Sequence, residues 1–344
     1  MNTADVAVAQ AARLATFRAA RRRGVDWLLG QLGSDGALGD PAAGFHYYRA
    51  PWTFTACGES EAANAVCGWI RRNLLTAAGR LDGPLRVYDD AYAYRDATLI
   101  VGAQLAGQYD LSLGLLPALL DWRDPQSGGF PNDRLPGGAQ SDNMDIPYTC
   151  GPGFACLATG HLDPARAIYR LLQAIYDAQP ALPARFYYAW SRSQQALITA
   201  YPEDRRLWYV VENDAARAQR WTVGGIAAGF LCRLYLAEPR PEYLALARQY
   251  QAFSMAATPH QFDYPQACKS SWGSSLLYQI TGEEVYRRWT LSLGDWYVQR
   301  QEDDGSWRWW NGGRQTLGAR IELTLEFVMH LDTLIGALAS RAGE

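Results

Sequence analysis

The sequence predicts an all-α protein: an (α/α)6 toroid of about twelve helices forming one domain over residues 1–344. Three observations predict it. Apolar residues recur at helical spacing along most of the chain, short turns join the helical segments into antiparallel pairs, and no convincing β-α-β alternation is present. The pairs recur irregularly, about every 45–60 residues, and their connections are long and aromatic, whereas a solenoid has a fixed period and short connections. Six inner and six outer helices closing on themselves satisfy all three.

The elements follow in order. A first helix is expected from about Ala7 to Gln31, with Leu14, Phe17, Val25, Leu28 and Leu29 facing inward. The segment from Gly36 to Gly58 contains Gly39, Pro41, Gly44 and Pro51 and reads as loop, rich in aromatics (Phe45, Tyr47, Tyr48, Trp52, Phe54). Helices then run over Glu59–Ala78, Tyr92–Ala106 and Leu111–Trp122. The stretch Asp124–Pro147 is polar, rich in Gly and Pro, and too long to be a mere connection. A pair follows over Cys150–Gly160 and Ala165–Ala178, with Pro164 at the helix start.

Residues 180–219 are the least regular. Phe186–Ala200 could form a helix that ends at Tyr201-Pro202. Regular pairs resume with Trp221–Ala237 and Glu242–Met255, then Lys269–Ile280 and Glu284–Gln301, with Thr281 and Glu284 at capping-box spacing. The last helix spans about Ala319–Ser340. Gly224-Gly225 and Trp272-Gly273 mark helices packed on all sides, hence inner ones.

A net charge of −3, from 32 Lys+Arg against 35 Asp+Glu, gives no reason to expect nucleic acid or an anionic membrane as partner. The six cysteines form no C-x-x-C and no metal-like spacing, so they read as reduced buried thiols. Residues 1–23 carry no signal-like or spanning apolar run, and a cytoplasmic location without membrane insertion is expected. The 13 Trp and 20 Tyr are many for this length and suit a ligand cavity as well as a core.

One unit recurs: a helix end, a polar turn with Gly, then an aromatic segment. It is clearest at Gln301-Glu-Asp-Asp304-Gly305-Ser306-Trp307, and looser at Gln31…Asp35-Gly36 and Asp124…Gly128-Gly129-Phe130. The spacing Q-x-x-x-G-x-W resembles the QW-type repeat of squalene–hopene cyclases and related prenyltransferase-like toroids. The helix pairs also resemble a wider set of (α/α)6 proteins: sugar epimerases, unsaturated-glucuronyl hydrolases and toroids of natural-product clusters. The resemblance implies the architecture. It does not extend to catalytic motifs, since D-x-D-D is absent, as are the zinc pattern of protein prenyltransferases and the Asp-rich magnesium site of class I terpene synthases.

The site is therefore sought in polar residues at the loop-bearing end of the ring. Asp142, Asp145, Glu59 and Asp90 are the candidate acid–base groups. His46, Tyr48, Trp52, Tyr94, Tyr148, Trp221, Lys269 and Trp272 are candidates for holding substrate, and no metal ligands or cofactor are expected. A wider set includes Asp89, Tyr92, Asn143, Gln219, Glu322 and Glu326, while His330 reads as a core histidine. Asp145, set behind aromatic rings, is expected to have a raised pKa and to act as a positioned acid, with helix capping as the competing reading.

The leading functional expectation is a small-molecule cyclase or isomerase acting on a largely apolar natural-product precursor, terpenoid or polyketide-like. The alternatives are a carbohydrate-active hydrolase, lyase or epimerase, and a non-catalytic binding toroid. A closed aromatic cavity would favour the first. Charged groups and Arg donors beside stacking rings would favour the second. The sequence leaves the oligomeric state open.

Overall fold

The computed structural model describes residues 3–40, 45–82, 91–310 and 316–341; the side chains of residues 3–10, 45 and 46 lie outside that description. Twelve α-helices are present among the described residues: α1 (Thr3–Leu29), α2 (Ala50–Ala56), α3 (Ser60–Asn73), α4 (Tyr92–Leu105), α5 (Tyr109–Asp121), α6 (Ile146–Ala158), α7 (Leu162–Asp177), α8 (Thr222–Ala237), α9 (Pro241–Ala256), α10 (Lys269–Thr281), α11 (Glu284–Gln299) and α12 (Leu317–Ser340). The even-numbered helices pack side by side in the order α2-α4-α6-α8-α10-α12 and back to α2. Each odd-numbered helix lies outside its partner, α1 against α12 and the others against the preceding or following inner helix. This is the predicted (α/α)6 toroid.

Composition explains the layering. Along α8 and α10 most residues are buried, and glycines let their backbones meet. A Cβ on Gly225 would overlap the Lys269 carbonyl, and one on Gly273 would overlap the Gln251 side chain. The outer helices α3, α7 and α11 are amphipathic, with charged residues on their outward face.

The recurring Gly-turn unit is a spacer between neighbouring outer helices. Gly36, Gly128 and Gly305 all have positive φ, and each lies against the backbone or Cβ of a residue on an adjacent outer helix: Ala65 of α3, Ala167 of α7 and Arg23 of α1. Asp35, Asp124 and Asp304 accept hydrogen bonds from main-chain N–H groups two or three residues on. The backbone N–H groups of Phe130 and Trp307 then donate to Thr149 of α6 and Thr324 of α12, at 3.3 and 3.0 Å. Gln301 donates to the Ala20 carbonyl of α1 at 2.8 Å, so the last unit joins the end of the ring to its beginning.

Three expectations are corrected. The segment 36–58 is not all loop, because it contains a 3-10 turn, Phe45–Tyr48, and the helix α2. At seven residues α2 is too short to display a period, and Pro51 marks its first turn. Residues 186–200 are not helical. The short strands β1 (Asn143–Asp145), β2 (Arg185–Tyr187), β3 (Ala189–Ser191), β4 (Ala196–Leu197) and β5 (Val210–Glu212) form two small antiparallel sheets, β1-β3-β4 and β2-β5. The aromatic density of Phe186-Tyr-Tyr-Ala-Trp suits strands, and three-residue strands escape an alternation test. Thr281 makes no capping box: it closes α10, and its hydroxyl accepts from the Glu283 N–H at 3.2 Å.

The long connection 124–147 ends in Asp145, the N-cap of α6. Its carboxylate accepts from the Tyr148 N–H at 2.8 Å and from Asn132 Nδ2 at 3.0 Å. Burial pushes its pKa up to about 6, against the pull of Arg220 and these donors.

Two predictions follow from this packing. Gly225→Ala forces α8 away from α10 and should cost about 1–3 kcal/mol, read as a lower urea midpoint with an unchanged slope; an unaltered midpoint would contradict the close approach. The second concerns pH. Because the folded pKa of Asp145 lies above its unfolded value of 3.8, this group costs the fold stability as pH rises from 3.8 through about 6. Asp145→Asn keeps an N-cap and removes that cost. Relative to the variant, wild type should lose about 2–3 kcal/mol between pH 4 and pH 7 in chemical denaturation. Parallel curves for the two proteins would show that Asp145 is not titrating in a buried setting.

Candidate active site

The N-termini of all six inner helices open at one end of the ring, around a cavity of about 660 Å³. Tyr48 and Arg49 reach it from the start of α2, Tyr94 from α4, Tyr148 from α6, Thr222 from α8 and Lys269 from α10. Glu322 and Glu326 enter from α12, while Trp208 and Trp309 come from connections. Helix N-termini carry partial positive charge, so this geometry favours negative charge in the cavity.

Along α12 a polar stripe, Glu322, Glu326 and His330, repeats every four residues and faces the axis; the other charged residues, Arg320 and Asp332, pair with Asp304 and Arg21. Glu326 is paired with Lys269 and lies 3.7 Å from Arg49 Nη2. Burial opposes its charge, but Arg49 and Lys269 outweigh burial and hold its pKa well below the usual range. Lys269 is the only lysine in the chain. Burial acts against its charge too, and Glu326 more than compensates, so it stays an ammonium. Lys269 also lies 3.3 Å from His330 Nε2. Burial and then the Lys269 charge depress the pKa of His330 to about 4, leaving it neutral at pH 7. A neutral His330 that accepts at Nε2 carries its proton on Nδ1, which has no partner among the described residues.

Glu322 sits one turn earlier and behaves differently. Tyr48 Oη donates to it at 2.6 Å, and Arg49 donates to Tyr48 at 3.0 Å. Burial pushes its pKa up to about 7, against Arg49 and the Tyr48 bond. Two carboxylates one turn apart thus hold different protonation states at neutral pH.

Across the ring, Arg220 stacks over Trp208, with its guanidinium carbon 4.0 Å from the ring centroid, and donates weakly to Tyr148 Oη at 3.4 Å. Next to the charged layer, outside the cavity lining, lies an aromatic cluster. Trp272 stacks on Phe154 at 4.4 Å and meets Trp52 edge-on at 5.5 Å, with Lys269 Nζ above it.

Of the residues expected from sequence, Tyr48, Tyr94, Tyr148 and Lys269 line this cavity, whereas Trp52 and Trp272 pack against each other outside its lining. Of the expected acid–base groups, Asp142, Asp145 and Glu59 do not line it, whereas Glu322 and Glu326 of the wider set do. Asp142, just before β1, is bound by the Ser191 hydroxyl and the Ser193 N–H of the β3–β4 turn at 2.7 Å each, and these donors hold its pKa low against partial burial. Asp145 is spent on its cap, as above. Glu59 pairs with Arg22 on the outside of the ring at 2.6 Å. Trp221 is buried at the start of α8, outside the lining. Asp89, Asp90 and the His46 side chain lie outside the described residues.

Arg49, Trp208, Trp309 and the role of His330 escaped the sequence reading. The signal for α12 was present: Glu322 and Glu326 are flanked by Ile321, Leu323, Leu325 and Phe327, a context in which a carboxylate must be buried and paired. Among the described residues, one group of potential metal donors converges here. Cys268, Glu326 and His330 offer donor atoms within 4.8 Å of one another, and the Lys269 ammonium already bridges Glu326 and His330. A divalent cation would have to displace it.

No family model matches the chain, and no curated protein sequence does. Solved structures do. A D-mannose isomerase is similar over 93% of this chain and 97% of its own, at 13% identity and a TM-score of 0.67. The GH76 alpha-mannanase of Bacteroides thetaiotaomicron is similar over 92% and 95% at 11% identity, with a TM-score of 0.61. The type II terpene cyclase MstE of Scytonema, in complex with geranylgeranyl dihydroxybenzoate, is similar over 94% and 99% at 12% identity, with a TM-score of 0.62. At these identities the likeness is one of architecture: the chain has the (α/α)6 toroid fold that an isomerase, a glycoside hydrolase and a terpene cyclase share.

Proposed function

We propose that this protein is an isomerase that moves a proton on a small polyhydroxylated carbonyl compound of the sugar class. The observation that carries the reading is the α12 carboxylate pair: Glu326 held ionised by Lys269 and Arg49, Glu322 poised near pH 7 beside them. Environments that separate the pKa values of neighbouring acids mark acid–base assignments. As a carboxylate, Glu322 takes the proton from the carbon next to the carbonyl, and the electron pair moves onto the carbonyl oxygen. Arg49 and Lys269 stabilise that oxyanion without reorganising, because Glu326 already fixes them. The proton of the adjacent hydroxyl passes to that oxygen, protonated Glu322 returns its own proton to the former carbonyl carbon, and the compound leaves with its carbonyl moved to the adjacent carbon, as the aldose–ketose isomer.

The lining supports a polar substrate over an apolar one. Arg49, Arg95, Arg220 and Lys269 border the cavity beside Trp208 and Trp309, the pattern of a sugar site. Thr222 Oγ1, Gln266 Oε1 and Arg49 Nε are buried without hydrogen-bond partners among the described residues, and substrate hydroxyls would satisfy them. Cyclisation of an apolar precursor is the second reading. The Tyr and Trp lining favours it, but a developing carbocation would face four cationic side chains and the positive ends of six helices.

The test is solvent exchange. With a panel of aldoses and ketoses in deuterium oxide, at least one should incorporate deuterium next to its carbonyl, followed by proton NMR. Glu322→Gln should slow this by about 10²-fold or more while the protein remains folded. Exchange by Glu322→Gln at the wild-type rate would remove Glu322 from the reaction.

The Tyr48 bond favours the ionised form of Glu322, so its loss raises the pKa of that group. The rising limb of the pH–rate profile, near pH 7 in wild type, should move to higher pH by about 0.5–1 unit in Tyr48→Phe. A limb that stays in place would mean that another group titrates.

A further inference from the structure

We propose that the substrate carries a carboxylate, held by Arg220 and Thr222 on the wall of the cavity served by α6 and α8. This rests on the reading above and names the substrate class within it: a sugar acid rather than a neutral sugar.

Each wall has its own charge balance. On the α12 side, Glu326 answers Lys269 and Arg49. On the α8 side the balance is open. Among the described residues no carboxylate lies within ion-pair distance of Arg220, and the hydroxyls beside it are those of Tyr148, at 3.4 Å, and Tyr188. The acid whose charge it feels most, Asp145, is committed to the α6 N-terminus and to Asn132. Arg220 is nevertheless held in place, its plane supported by Trp208 at 4.0 Å and by Tyr148 at 5.5 Å. A fixed guanidinium with free donors matches the two oxygens of a carboxylate.

Thr222, two residues on and also in the lining, has a buried hydroxyl without a partner. It is the first residue of α8, where the helix dipole adds to the attraction. Buried donors left unpaired are costly, so each marks a place where a ligand atom belongs. The anionic group is a single carboxylate because the wall offers one unpaired guanidinium and one hydroxyl. On α12, Glu322 is two inner helices away from α8, so a substrate anchored at one end presents its other end, the carbonyl, to Glu322.

The test uses matched probes: D-glucuronate with D-glucose, and the galacto and manno pairs, each differing only in oxidation at C6. Affinity is measured by calorimetry on wild type, Arg220→Gln, Arg220→Lys and Glu322→Gln, and exchange in deuterium oxide is followed in parallel. In at least one pair the uronate should bind about 30-fold or more tighter than the hexose. Arg220→Gln should erase that preference, Arg220→Lys should restore part of it, and Glu322→Gln should keep it within about 3-fold while exchange is lost. If Arg220→Gln does not fold, competition by acetate for the uronate on wild type replaces it.

Equal affinity for acid and neutral sugar in every pair overturns the carboxylate assignment, as does a preference that survives Arg220→Gln. Exchange of neutral hexoses without any uronate preference leaves the isomerase reading standing and removes the anion site. Uronate binding that depends on Arg220 without exchange in any compound does the reverse. Neither binding nor exchange removes both.

Discussion

The structure depends on closing the ring, which places α12 between α10 and α2 and the long α1 outside it. An open helical hairpin array would leave an apolar face bare at each end, so the first and last units must pack on one another. They do so by unusually close contact. Thr53 of α2 donates to the Leu325 carbonyl of α12 at 3.0 Å. Trp307, fully buried, donates to the Tyr297 carbonyl at 2.8 Å and lies against Gly24 of α1, where a Cβ would overlap its ring. Because α12 is the closing element, its inward stripe reaches the axis of the ring, and that stripe is the one bearing Glu322, Glu326 and His330.

This position explains why the charges tolerate burial. Isolated buried ions cost more than their attraction returns unless geometry and hydrogen bonds are complete. Glu326 receives a cation from α10 and another from the start of α2, and His330 takes up a further position on the Lys269 ammonium. The chain uses Arg everywhere else, so its single lysine is informative. A compact ammonium fits between two side chains on one helix and above Trp272, where a planar guanidinium has a different donor geometry. The cluster ties three inner helices together at the same end where their N-termini point, and any anion entering the cavity meets a field already oriented toward it.

Much of the architecture was legible in the sequence because long helices declare themselves by period. Eleven helices were marked within a few residues of their ends, and the inner helices α8 and α10, with Gly224-Gly225 and Gly273, were identified from composition. The misses share a cause. The seven-residue α2 and the strands of two or three residues are shorter than any window that shows periodicity, and tertiary contacts alone stabilise them. The site was harder. Tyr48, Tyr94, Tyr148 and Lys269 stood at helix starts, where the architecture points inward. The acids at Asp142 and Asp145 stood in an equally suggestive loop, yet they serve a turn and a cap. A carboxylate before a helix has two uses, and the sequence does not separate them. A carboxylate within an apolar helix has fewer, and for that reason Glu322 and Glu326 were the better signal.

The Gln301–Trp307 unit shows the same division between structure and chemistry. Gln301 and Gly305 contact α1, Asp304 organises the turn for Ser306, and Trp307 bonds to α11 and α12. No residue from Gln301 to Trp307 lines the cavity. Gly36 and Gly128, the looser copies, press against α3 and α7 in the same way. The motif is therefore mortar between outer helices, and a resemblance based on it carries information about how the ring is held and none about what the ring encloses. The chemistry belongs to the opposite surface of the same helices, at the first turn of each inner one. There, side-chain identity can change without disturbing the mortar, which is how one toroid can hold a lining of Arg, Lys and Glu and another an uncharged one.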